Sequence, residues 1–144
     1  MSSWDPMRDA LGVEELDHDH REFLALLGIL IEASDAEFPV LFQKLVDRTR
    51  LHFVREGRLM RLGKYPALAE HEGEHHRILG ELLQFNRSVK RGRLAFARAY
   101  AGSGLPEWFA VHHSTMDRAL ASHSKAQYAN PAPLEPLTDH RVGP

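Results

Sequence analysis

Four stretches of this chain repeat apolar residues at steps of three and four, and each of those stripes also carries side chains that helices seldom bury. The first holds His20, Phe23, Leu24, Leu27, Leu30 and Ile31. The second holds Phe38, Leu41, Leu45, Thr49, His52, Glu56, Leu59 and Met60. His71 and His75 share the third with Leu68, Ile78, Leu79 and Leu82, and the last sets Trp108, Phe109 and His112 beside Met116 and Leu120. Such spacing gives each segment one apolar face, while no segment alternates with the period of a strand or shows an Asn-Gly hairpin signal. The chain is therefore expected to be all-α, an antiparallel up-down-up-down four-helix bundle.

Turn and cap residues set the expected boundaries. The first helix should begin after "GVEELDHDH", with Asp17 or Asp19 capping or charging its first turn, and "EASDAEFP" should end it through Ser34 and Asp35. Gly63 and Pro66 mark the stop of the second, and the third should run to about "RSVKRG". "RGRLAFARAY" reads as a short helix, interrupted by "AGSGLP" before the last long segment, whose first turn suits Pro106. A length of 144 residues fits one domain, expected over 1–128, with 129–144 as an extended proline-rich tail.

Composition closes off several function classes. A net charge of -2 with scattered lysines and arginines argues against nucleic acid or an anionic membrane as partner. The absence of cysteine excludes disulfides, thiolate-held zinc and iron–sulfur clusters. "FLALLGILI" falls well short of the roughly 20 residues that span a bilayer, and "MSSWDPMRDA" lacks the apolar core of a signal peptide. A soluble cytoplasmic protein with a small-molecule or protein partner is expected.

His20, His52, Glu56, His71, His75, His112 or His113, and Asp117 fall on faces meant for the core. Burying such a set without a common counter-charge costs several kcal/mol per ion, and a bound metal supplies that charge. His52 and Glu56 are four apart, as are His71 and His75, so each pair can converge on one point. Five imidazoles and two carboxylates exceed the capacity of one ion. Two octahedral ions sharing both carboxylates and one bridging oxygen would keep about one of about twelve positions open, which suits iron, with manganese possible on ligand type. Spacing alone favours His113 over His112, because His113 is four residues from Asp117 and His112 is five. His18, His76, His123 and His140 read as solvated, and Phe53, Trp108 and Phe109 as core.

The order "W…GVEELDHDH…HFVREGRLM…KYPALAEHEGEHHRIL…EWFAVHHSTMD" resembles the hemerythrins, specifically the single-domain bacterial ones, from about Trp4 to about Leu120. The resemblance implies a non-haem di-iron site bridged by an oxo or hydroxo group. His71, His75 and His112 would hold one iron, His20 and His52 the other, and Glu56 and Asp117 would bridge them. The Trp-x-x-x-His spacing from Trp108 selects His112 where geometry had pointed to His113. Dioxygen would be the ligand, bound reversibly for carriage, storage or delivery, in a pocket lined by Phe53, Trp108, Phe109 and His113.

Three departures qualify that expectation. His113 stands where the family usually places an apolar residue, and a titratable group there could promote loss of the ligand as peroxide. This supports an alternative: a redox enzyme acting on peroxide or nitric oxide. "AGSGLPEW" is expected to shorten the fourth helix and open access, and Gly57 replaces a frequent glutamate at a cost to helix stability. A sensor signalling to a docked partner, through the tail, is a further alternative, and the electron donor is unknown. The Glu-x-x-His pairs Glu15 with His18 and Glu72 with His75 match a ferritin-like pattern, but no glutamate in the middle of the fourth helix completes that set.

Overall fold

The computed structural model describes residues 4–129, and every regular element among them is helical. The proline-rich segment after Ala129 lies outside the described residues. A single turn, α1 (Pro6–Asp9), precedes the bundle, with the Asp5 carboxylate accepting from Met7 N at 3.1 Å. Then come α2 (Glu14–Glu32), α3 (Phe38–Leu62) and α4 (Leu68–Lys90), joined by the loops 33–37 and 63–67 so that neighbours run antiparallel. The fourth position is filled by α5 (Ala95–Ala99), α6 (Leu105–His112) and α7 (Arg118–Ala129), which follow one another through two π-helical turns, 100–104 and 113–117.

Two expected boundaries are corrected. Helix α2 begins within "GVEELDHDH", at Glu14. Asp17 does not cap it; its carboxylate reaches back to accept from Leu11 N at 2.8 Å and Gly12 N at 3.2 Å, fastening the preceding loop, where Gly12 turns at φ +84°. Nor does "AGSGLP" break the last helix. Pro106 has no N–H to give and its ring would crowd the turn before it. The wider π turn takes up both problems, with Leu105 N bonding to Tyr100 O, five residues back. The fourth helix is thus continuous, and the expected opening of the site by its shortening is not present.

The other boundaries agree with the sequence. Ser34 Oγ accepts from Glu37 N at 3.2 Å while Glu37 Oε1 takes the Ser34 N–H at 3.4 Å, a reciprocal cap leading into α3. Gly63 ends α3, and Gly92 at φ +81° follows α4. No helix among the described residues is long and apolar enough to cross a membrane.

The core is layered along the bundle axis. One apolar cluster joins Phe23, Leu27, Leu30, Phe38, Phe42, Leu45, Ile78, Leu82 and Phe109; a smaller one at the other end joins Leu11, Leu16, Met60, Leu120 and Ala121. Along every long helix the buried histidines and acids fall between these two clusters. The helices gain their stability from the apolar ends, and the polar layer is held between them.

Candidate metal centre

His20, His52, Glu56, His71, His75, His112 and Asp117 converge from all four long helical segments, and none exceeds 7% exposure. With His113 beside them, their ligating atoms form three overlapping groups. One brings together Glu56, His71, His75, His112 and Asp117, a second His20, His52 and Glu56, and a third His20, His113 and Asp117, each with its donor atoms within 4.8 Å of one another.

The carboxylates divide their oxygens between these groups. Glu56 Oε1 faces His71 Nε2 at 3.1 Å and His75 Nε2 at 3.3 Å, while its Oε2 faces His52 Nε2 at 2.5 Å and His20 Nε2 at 3.4 Å. Asp117 repeats the pattern: Oδ1 lies 3.2 Å from His71 and 3.1 Å from His112, and Oδ2 lies 3.1 Å from His20. The ion-pair partners of both acids are all imidazoles.

A local irregularity explains how His112 and Asp117 meet. Five residues apart on an α-helix, they would diverge. The π turn 113–117 adds about one residue to the circuit, so positions i and i+5 return to the same face. Spacing on an ideal helix had favoured His113. His113 instead turns toward the N-terminal segment, where its Nε2–H donates to the Asp9 carbonyl at 2.8 Å, and its ring stacks on Phe109 at 5.1 Å.

The charge state follows from burial and contact. Burial opposes ionisation of Glu56, but His52, His20 and His71 outweigh it and hold its carboxyl well below the usual range. Burial and Glu56 both push Asp117 up, yet His112, His20 and His71 bring it down. Burial lowers His20 and His71, and the two acids overcome it, raising them to about 10 and about 9. His75 is lowered, chiefly by burial.

These residues fit a bound metal cation. The Nε2 atoms of His20, His75 and His112 and Oδ1 of Asp117 are buried in the site without a hydrogen-bond partner, although they face one another. Lone pairs converging in that way are satisfied by positive charge.

A small cavity of about 10 Å³ adjoins the cluster, room for about one water molecule. Phe53, Trp108 and Phe109 line it, with Phe53 stacked on His75 at 3.7 Å and Trp108 on His112 at 4.6 Å. Trp108 Nε1 donates to Glu74 at 2.8 Å, which fixes the indole. His113, expected among these residues, does not line the cavity. Phe23 and Thr49 do, and were not singled out from sequence; each stands three residues from a cluster histidine on its stripe, and that was the available signal.

Other expectations resolve as follows. His18 and His76 are exposed. His123 is not simply solvated: its Nε2–H donates to Gly63 O at 2.7 Å, tying α7 to the end of α3. His140 lies outside the described residues. Of the ferritin-like pairs, Glu15 and His18 are exposed and Glu72 pairs with Arg61 at 3.0 Å, so neither glutamate joins the cluster. Gly57 is buried, and a Cβ there would meet Glu72 Oε2 at 2.7 Å and the Arg61 guanidinium at 3.3 Å.

A four-helix bundle with histidines and shared acids buried between apolar ends defines a class of cation-binding helical proteins. The chain belongs to the hemerythrin family: the hemerythrin HHE cation binding domain matches residues 11–132. A bacteriohemerythrin of Ralstonia nicotianae is 32% identical over 112 residues, 78% of this chain and 81% of the relative. A myohemerythrin of Sipunculus nudus is 26% identical over 102 residues, covering 71% of this chain and 77% of that protein. No solved structure gives a significant match.

Proposed function

We propose that this chain holds two iron ions, bridged by an oxo or hydroxo group, and binds dioxygen reversibly as a carrier, store or delivery protein. One observation carries the reading: Glu56 and Asp117 each direct one oxygen to the group of His71, His75 and His112 and the other to the group of His20 and His52. The names of the relatives, bacteriohemerythrin and myohemerythrin, support it. When bound, the iron pair supplies the electrons that dioxygen borrows and returns.

The chain's own residues hold and shelter that chemistry. His71, His75 and His112 would hold one ion, and His20 and His52 the other. The three-imidazole group leaves less room for a further ligand, so the side with two imidazoles is where a small molecule fits. Phe23, Phe53, Trp108 and Phe109 surround the cavity with apolar surface that excludes bulk water, which favours reversible binding over hydrolytic loss. The redox-enzyme alternative had His113 as its residue; its Nε2 is bonded to the Asp9 carbonyl and it does not line the cavity, although it lies against His20.

The test is optical. Iron-loaded protein, reduced without oxygen and then exposed to air, should form a coloured adduct that disappears on deoxygenation and returns over repeated cycles. Immediate, irreversible conversion to the oxidised form would overturn the reading. We take 1–128 as the functional domain, so a chain ending at Tyr128 should give the same spectra and the same iron content.

A further inference from the structure

We propose that Thr49 is the polar contact the protein offers to a small ligand in the cavity, its Oγ1 hydroxyl donating a hydrogen bond to an acceptor atom of the bound molecule. The inference rests on the reading of the cluster as the ligand-binding iron site.

Three observations on the cavity wall lead to it. Apart from the histidines and Asp117 of the cluster, the lining consists of Phe23, Phe53, Trp108, Phe109 and Thr49. The indole N–H of Trp108 is already committed to Glu74, which leaves Thr49 as the polar group of the wall with a hydrogen bond to give. Thr49 is 1% exposed, and its Oγ1 has no hydrogen-bond partner.

That last state is unusual for a helical threonine, whose hydroxyl ordinarily bonds the carbonyl four residues back. Thr115 does so in this same protein, with Oγ1 donating to Val111 O at 2.6 Å, and Ser103 donates to Ala99 O at 3.1 Å. At Thr49 the corresponding bond to Leu45 is not made. A buried hydroxyl left unpaired is costly, so its partner comes from an occupant of a cavity it lines. Thr49 borders two, this one and a second beside Asp19, Arg48 and Arg55, and we assign it to the one beside the cluster.

Position on the helix decides which end of the site it serves. Thr49 lies three residues before His52, on the same face of α3, beside the group of two imidazoles. A ligand with lone pairs on its outer atom, such as dioxygen or a linear anion, would be met there by one donor in an otherwise apolar wall. A single bond of that kind orients the ligand and slows its departure, since such differences appear mainly in dissociation.

Azide is the probe, as a linear anion that coordinates oxidised iron and exposes a terminal acceptor. The comparison is between iron-loaded wild type, Thr49→Val, which keeps the shape and loses the hydroxyl, and Thr49→Ser, which keeps the hydroxyl. With iron content equal in all three, azide should leave Thr49→Val roughly fivefold faster, the factor one hydrogen bond of ordinary net strength supplies. Thr49→Ser should stay near wild type, and Thr49→Ala should share the faster release. A readout without iron comes from melting: metal-free Thr49→Val should unfold at or above the wild-type temperature, because it removes an unpaired buried hydroxyl. Equal azide release from wild type and Thr49→Val, both fully loaded, would overturn the role of Thr49 alone. Wild type that takes up no iron, or loads but binds neither azide nor dioxygen, would overturn the underlying reading and this inference together.

Discussion

Glu56 and Asp117 sit among five buried imidazoles, and without metal the cluster must balance its own charge. The acids raise His20 to about 10 and His71 to about 9 against the opposing pull of burial. A histidine raised in the folded state stabilises fully below its ordinary value of 6.5, and that contribution is lost as pH climbs through 9 and 10. The acids are lowered, so theirs is complete above the ordinary values of 4.5 and 3.8 and fades as pH falls below them. Metal-free protein should therefore melt highest at about pH 5 to 6 and lose stability steadily toward pH 10. Iron-loaded protein, whose imidazoles are deprotonated ligands, should not show the alkaline decline. A flat metal-free profile from pH 6 to 10 would contradict the charge assignment. His20, His52, Glu56, His71, His75 and His112 all stood on their stripes, because buried charge on an apolar face is conspicuous. Asp117 stood off its stripe and its spacing pointed to His113, so the choice of His112 needed the resemblance, and Thr49 looked like any other core threonine.

At the scale of elements, the irregular turn 113–117 matters most. It contains one residue more than an α-helix needs to bring His112 and Asp117 together. Deleting the exposed Ser114 should let the turn relax to α while both side chains still face the cluster, and the protein should keep its fold and iron. Deleting the exposed Val54 is the counter-case, because it turns Glu56 by about 100° relative to His52 and should abolish iron uptake. Iron analysis of the two purified proteins checks the contrast, and loss of iron in both would show that the turn is not a removable insertion. This turn explains the limit of the sequence reading. Ideal periodicity places helices α2, α3 and α4 well, but it has no term for a widened turn. It therefore chose His113 by spacing and read "AGSGLP" as a break, where Pro106 is carried by a second π turn. The start of α2 was placed too late: Asp17, expected with Asp19 as a cap or a charge of the first turn, does lie in that turn, but its carboxylate also closes the loop before the helix.

In the whole molecule, apolar clusters close both ends of the bundle and the cluster of donors lies between them, so α2, α3, α4 and the last helix are joined wherever a cation is held. The architecture was legible because four apolar stripes repeat at helical period with short connections between them. The division of each carboxylate across two groups was not, since it depends on how four helices rotate against one another. That division has a consequence for filling. A first ion would set the second oxygen of Glu56 and of Asp117 in place for its neighbour, so the second should bind more readily than the first. Ferrous titration without oxygen, followed by native mass spectrometry, should show metal-free and two-iron chains at half saturation, and a dominant one-iron chain would refute it. Under iron scarcity the population would then contain fewer complete copies, not many half-finished ones.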